Sequence, residues 1–142
     1  GVRVLVNEGV TLARDGAPLY LAGLDDAWSG VPGLPAALAG APRGAPIILA
    51  AHEPDLADRF IPQAAALGKP VSLQLSGHSH GGQGRLPLLG APVLPYLGRK
   101  YDLGLYRLEG AWLYVTSGVG FAGPPLRLGC RPEVVEIILV RE

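Results

Sequence analysis

Leu75-Ser76-Gly77-His78-Ser79-His80-Gly81-Gly82-Gln83 is the stretch on which the reading of this chain turns. An apolar run, Val71 to Leu75, passes into a turn of small residues that carries two histidines one residue apart. The chain has only 3 histidines, and the third, His52, closes a second apolar run, Ile47 to Ala51. Pro46 to Ala51 has the continuous apolar character of a buried strand, and Val71 to Leu75 is the next strand. Two strands therefore deliver all the imidazole of the protein toward one sheet edge. Imidazole is the commonest protein ligand for zinc, iron, nickel and copper. The expectation is a metal site at the carboxyl ends of two strands, with His52, His78 and His80 as its ligands.

The segment between the two runs supports this. His52-Glu53-Pro54-Asp55 turns into a helix predicted from about Pro54 to Leu67, with proline in the first turn and acids beside it. Leu56, Phe60, Ala64 and Leu67 share one face, and Gly68 is placed to end the helix. Strand, helix, strand is a βαβ unit, whose crossover is right-handed as a rule. Open α/β sheets place ligands at the edge where both strands reach histidine.

Outward from this centre, Val2 to Val6 and Val10 to Arg14 have strand composition. Asp15-Gly16 is a hairpin turn before a strand from Leu19 to Leu24. Three short strands in a row predict an antiparallel meander. Asp25-Asp26 follow, acids suited either to a metal or to starting a turn. Pro35 to Ala39 fits a short helix. Gly84 to Gly98 is apolar but broken by prolines, so it reads as an ordered loop or a partly exposed flap. Leu103 to Leu108 and Trp112 to Thr116 form a hairpin around Glu109-Gly110. Ser117 to Gly120 is a glycine-rich turn, and Val134 to Val140 is predicted as a final strand.

Composition narrows the class. A chain of 142 residues is one domain by length. Hydrophobic residues make up 49% and charged ones 17%, which excludes disorder. Lys plus Arg and Asp plus Glu number 12 each, so no basic surface favours nucleic acid. The single cysteine, Cys130, excludes an internal disulfide and suits a reducing, cytoplasmic compartment. No apolar run approaches the roughly 20 residues of a membrane span, and no signal peptide is legible. With no methionine in the chain, Gly1 is not an untouched translation start, and a piece of a longer protein is expected.

At Gly77-His78-Ser79-His80-Gly81-Gly82-Gln83 the sequence resembles the calcineurin-like metallophosphoesterases. The likeness is greatest to a bacterial subgroup of peripheral membrane phosphodiesterases and sugar-nucleotide pyrophosphatases. Ala51-His52-Glu53-Pro54-Asp55 is similar to the family's isolated-histidine segment. Gly98-Arg99-Lys100-Tyr101, Gly104-Leu105-Tyr106 and Tyr114-Val115-Thr116-Ser117-Gly118-Val119-Gly120 resemble its closing strands, and Arg131-Pro132-Glu133-Val134-Val135 its carboxyl-terminal strand. Residues 1–142 thus resemble the carboxyl-terminal portion of such a domain. The implied fold is α/β, part of a four-layer α/β/β/α sandwich, with a mixed sheet and few helices.

The resemblance also implies chemistry. Two divalent ions, manganese, iron or zinc, about 4 Å apart would supply a metal-activated hydroxide that attacks a phosphodiester or phosphomonoester in line. His52 and His78 would hold one ion and His80 the other. Gly81, Gly82 and Gln83 would form a tight loop near substrate, with backbone approach the glycines' main use. If the backbone there is extended, alternation puts His78 and His80 on one side.

The family's Asp-x-His, Gly-Asp and Gly-Asn-His motifs have no counterpart in this chain. Three readings follow: the carboxyl-terminal half of a phosphoesterase, inactive alone; one half of a split enzyme, completed in trans; or a non-catalytic binding or structural module. The partners implied are a phosphate ester, lipid-linked in one reading, and the amino-terminal half of the domain. Leu86 to Leu97 would either touch a membrane surface peripherally or pack over a sheet. Unpaired strand edges would make the isolated chain oligomeric.

Overall fold

The computed structural model of the chain describes residues 1–140. They form a hairpin of β1 (Glu8–Arg14) and β2 (Ala17–Gly23), then helix α1 (Leu34–Leu38) and strand β3 (Ile47–Ala50). A 3-10 turn, Pro54–Leu56, leads into α2 (Ala57–Ala66), followed by β4 (Leu73–Ser76) and the hairpin β5 (Gly104–Leu108) and β6 (Ala111–Val115). The strands make one six-stranded mixed sheet in the order β1-β2-β3-β4-β6-β5. Its four central strands are parallel, and β1 and β5 close the two edges antiparallel.

The local causes are legible. Asp15 and Gly16 both have positive φ, 51° and 74°, as the tight turn between β1 and β2 requires. Gly68, at φ 69°, ends α2 in the left-handed conformation open to a residue without Cβ. Between β3 and β4 the chain crosses over through α2, and parallel pairing follows, with Ile48 opposite Leu73 and Ala50 opposite Leu75.

Both helices pack on one face of the sheet. One cluster joins Tyr20, Ile47 and Leu49 of the sheet to Leu34 and Leu38 of α1 and Phe60 and Ala64 of α2. A second joins Ala57 and Ile61 of α2 to Ala111, Leu113 and Val115 of β6. The buried stripe of α2 is therefore Ala57, Phe60, Ile61 and Ala64, at the i, i+3, i+4, i+7 spacing. This corrects the expected stripe at its end, because Leu67 lies beyond the helix and is exposed. Leu105, Trp112 and Tyr114 lie on the opposite face, and Leu105 and Trp112 are exposed there.

The α/β class, mixed sheet and few helices stand as expected. Two predicted strands do not form. Val2 to Val6 has no regular structure, so the expected meander is a two-stranded hairpin. Val134 to Val140 likewise has no regular structure and lies outside the sheet, with Val134, Ile138 and Val140 exposed. In both, strand composition meets no partner strand among the described residues, and pairing is what makes a strand.

Candidate metal centre

Parallel pairing brings the carboxyl ends of β2, β3, β4 and β6 to one edge of the sheet, and the chemistry gathers there. β2 leads to Asp25, Asp26 and Trp28, β3 to His52 and Glu53, β4 to His78 and His80, and β6 to Gly118, Gly120 and Ala122. The ladder continues past the strands, with Ala51 N–H donating to Leu75 O at 3.0 Å and Gly77 N–H to His52 O at 3.1 Å. A groove of about 590 Å³ opens at this edge, lined by all three histidines together with Asp26, Trp28, Gln83 and Leu94.

His78 is the central imidazole. Its ring meets that of His52 at 5.0 Å between centroids and 74° between planes. The Trp28 indole meets it from another side at 4.9 Å and 81°. Nε2 of His78 donates to Tyr96 O at 2.8 Å. That bond fixes the tautomer with the proton on Nε2 and leaves the Nδ1 lone pair for a ligand.

The histidine turn is not extended, contrary to the expectation. His78 and His80 have φ of 65° and 51°, and Gly81 and Gly82 follow at 59° and 77°. Ser79 explains the turn. It is buried, its hydroxyl accepts Gly81 N–H at 3.1 Å and donates to Asp102 O at 2.5 Å, so it points inward. A Cβ on Gly81 would lie 2.5 Å from Cys130 Sγ, so the backbone approaches here as closely as the glycines were expected to allow. Gln83 lines the groove, but its amide is spent on the neighbouring loop. Its Nε2 donates to Ala122 O at 3.0 Å, and its Oε1 accepts Ala122 N–H.

His80 Nδ1 is buried without a hydrogen-bond partner. Burial lowers the pKa of this imidazole below its ordinary value, and the nearby Arg127 adds to that effect against the Gly120 carbonyl, which favours the proton. His80 is thus held neutral at pH 7, the form that ligates metals. An orphaned buried nitrogen costs stability unless something meets it. Asp26 supplies negative charge to the groove, its pKa lowered to about 2 chiefly by the Ser29 hydroxyl and backbone N–H.

The acids of the Asp25-Asp26 pair are largely used in turns. Asp26 Oδ1 accepts from Trp28 N–H, Ser29 N–H and the Ser29 hydroxyl, while Asp25 Oδ2 accepts Val31 N–H. Asn7 is a brace as well, its Oδ1 accepting from Asp25 N–H and Gly33 N–H. Glu53, read in the sequence only as an acid near a helix start, is 1% exposed and accepts Ala27 N–H at 2.9 Å, tying the β3 turn to the β2 turn. Nothing in the sequence spacing of Trp28 marks it as a neighbour of His78.

The donor set fits a divalent cation in part. Two imidazoles stand in contact, and a third, His80, lines the same groove with its Nδ1 buried and without a hydrogen-bond partner. Among the described residues, no three His, Cys, Asp or Glu side chains are placed to hold one ion.

Curated relatives decide the family. Phosphodiesterase YaeI of Escherichia coli is 37% identical over 141 residues, 99% of this chain and 48% of that protein. The uncharacterized metallophosphoesterase YkuE of Bacillus subtilis is 37% identical over 140 residues, 98% of this chain and 47% of that protein. A transmembrane protein with metallophosphoesterase domain from Bos taurus is 35% identical over 153 residues, 97% of this chain and 32% of that protein.

The chain belongs to the metallophosphoesterase family. It spans about half the length of YaeI and YkuE. No family model matches it, and no solved structure matches it. In a metallophosphoesterase a groove lined by histidines at strand ends is where divalent metal chemistry is expected. None of the described helices is long and apolar enough to cross a membrane.

Proposed function

We propose that this chain is the histidine-bearing, carboxyl-terminal part of a metal-dependent phosphoric ester hydrolase, acting on a phosphodiester or phosphomonoester. The observation that carries the reading is that His52, His78 and His80, from two parallel strand ends, line one groove, with the rings of His52 and His78 in contact. His52 and His78 hold one divalent ion and His80 contributes to a second, manganese, iron or zinc by the mix of ligand types. When bound, such ions polarise a phosphoryl oxygen and lower the pKa of the attacking water.

The chain's own residues do the rest. The Tyr96 carbonyl orients His78, Ser79 splays the two imidazoles apart, and Asp26 places negative charge where cations gather. Trp28 and Leu94 form an apolar wall that shields the reacting phosphate from bulk water and receives the organic part of the ester, a lipid in the membrane-facing version of this reading. Gly81, Gly82 and Gln83 bring the backbone close to that substrate.

Further carboxylate and histidine ligands come from polypeptide outside this chain, in cis or in trans. Relatives of about twice the length and the open sheet face around Leu105 and Trp112 support this. The isolated chain is then inactive and self-associates through that face. The enzyme works in the cytoplasm, peripherally at a membrane through Leu88, Leu89 and Val93, which are exposed on the flap.

The test is hydrolysis of bis(p-nitrophenyl) phosphate with added manganese by this chain, alone and joined to the other half of a relative. Activity only in the joined protein, abolished by His78→Ala, is the expected result. A second reading, a non-catalytic module, is favoured by the lack of a three-ligand group among the described residues. It predicts no activity in either form.

A further inference from the structure

The loop that covers His78 is held from an unexpected place. Asp55 follows His52 and Pro54 in the turn after β3, and its carboxylate collects three consecutive backbone N–H groups. Oδ2 accepts Arg99 N–H at 2.9 Å, and Oδ1 accepts Lys100 N–H at 3.1 Å and Tyr101 N–H at 3.0 Å. Asp55 N–H in turn donates to Leu97 O at 3.0 Å. One residue thus ties four of the five positions 97–101, and the fifth, Gly98, makes its own turn by donating N–H to Pro95 O at 3.2 Å.

What this mooring positions is His78. Tyr96, one residue before the moored segment, offers the carbonyl that takes the Nε2 proton at 2.8 Å. Gly98, inside the segment, passes so near that a Cβ there would lie 3.2 Å from His78 Cδ2. The ring is therefore held on the loop side by that hydrogen bond and lies close beside Gly98, and Asp55 moors the loop at Leu97 and Arg99, next to both. Charge-assisted acceptance of several N–H groups is among the stronger restraints a single side chain can exert. Asp58 adds two side-chain tethers at the far end of this stretch, accepting Lys100 Nζ at 2.6 Å and the Tyr101 hydroxyl at 2.8 Å, but none nearer Tyr96.

We propose that Asp55 is a positioning residue for His78: it pins residues 97–101 so that the Tyr96 carbonyl fixes the imidazole proton on Nε2 and turns Nδ1 toward the groove. The turn that presents His52 thereby also orients the second imidazole, and the two ligands of one ion are set by one element. The metal-binding consequence rests on the hydrolase reading above; the orientation of the ring does not.

The test is exchange of the His78 Nε2 proton, followed by NMR in the metal-free chain, together with zinc affinity by calorimetry. In the unaltered chain that proton is protected and visible. Asp55→Ala is expected to speed its exchange at least tenfold and to lower zinc affinity about 10- to 100-fold, the usual cost of removing an outer partner of a ligating histidine. Asp55→Asn, which keeps acceptor oxygen, is expected to fall between. If Asp55→Ala fails to fold, Asp55→Asn is read by the same criterion. Amide exchange at Arg99, Lys100 and Tyr101 accelerated with the His78 ring proton still protected overturns the proposal. Protection lost as expected in a chain that never binds zinc upholds the positioning role and instead contradicts the hydrolase reading.

Discussion

His52 and His78 stand edge to face, ring centroids 5.0 Å apart, although each leaves a different strand. Parallel pairing of β3 with β4 makes this meeting unavoidable. Ala50 lies opposite Leu75, so the two chains leave the sheet side by side and in the same direction. Each imidazole then needs only a short turn to reach the other. The turns differ: His52 precedes a helical turn, whereas His78 adopts a left-handed backbone stabilised by the inward bonds of Ser79.

Gly81→Ala is expected to destabilise the chain by about 1–3 kcal/mol, the range for a non-glycine residue forced into a sparsely populated backbone conformation. Two causes are separable, because Gly81 combines φ of 59° with the near contact to Cys130 Sγ. Adding Cys130→Ala should relieve the clash and leave the backbone cost. Denaturant unfolding of the single and double variants reads both parts. Equal loss in both variants would mean the thiol contact costs nothing.

Beneath the histidine turn, Arg85 and Asp102 form an ion pair at 2.6 Å with side chains 26% and 23% exposed. Burial raises the Asp102 carboxyl pKa, but the Arg85 guanidinium and the Tyr106 hydroxyl outweigh it and hold it below the usual carboxylate range. A depressed carboxyl stabilises the fold above its unfolded pKa, and that contribution fades as pH falls through the folded one. Asp102→Asn is therefore expected to cost about 1.5–3 kcal/mol near neutrality, the scale of a charged hydrogen bond. The gap between the two proteins should close below about pH 4, where the unfolded carboxyl takes up its proton. Urea unfolding across that range checks it, and a gap that widens in acid would contradict it.

Phe60 of α2 is 1% exposed and fills the space between both helices and β3. Phe60→Ala is expected to cost about 3–5 kcal/mol through lost burial and the cavity left behind. Since marginal stability is itself only about 5–15 kcal/mol, the variant should be near unfolding at room temperature. A thermal midpoint within a few degrees of the unaltered chain would show that the helix layer is not what holds the sheet.

Sequence patterns carried further on this molecule wherever a local rule and its partner lie in the same chain. Asp15-Gly16, the proline-led turn before α2 and Gly68 each set their own backbone. The two runs ending in histidine pair because a helix of suitable length joins them. Val2 to Val6 and Val134 to Val140 are just as strand-like in composition, yet no partner strand meets them among the described residues. The left-handed histidine turn was also illegible, because it depends on Ser79 reaching Asp102, a contact made only in the folded chain. Trp28 and the Tyr96 carbonyl reach His78 from remote segments, and no spacing announces such contacts. What showed in the pattern was the set of imidazoles; the groups that orient them did not.

The central claim is that His52 and His78 serve one cation while His80, which lines the same groove, serves a second. Titration of the chain, its histidines labelled with nitrogen-15, with zinc measures this directly. The imidazole nitrogens of His52 and His78 are expected to shift together along one binding curve, Nδ1 of His78 moving and its Nε2 proton retained, with His80 responding at Nδ1 on a curve of its own. Independent curves for His52 and His78, or no shift at any of the three rings at millimolar zinc, would contradict the account.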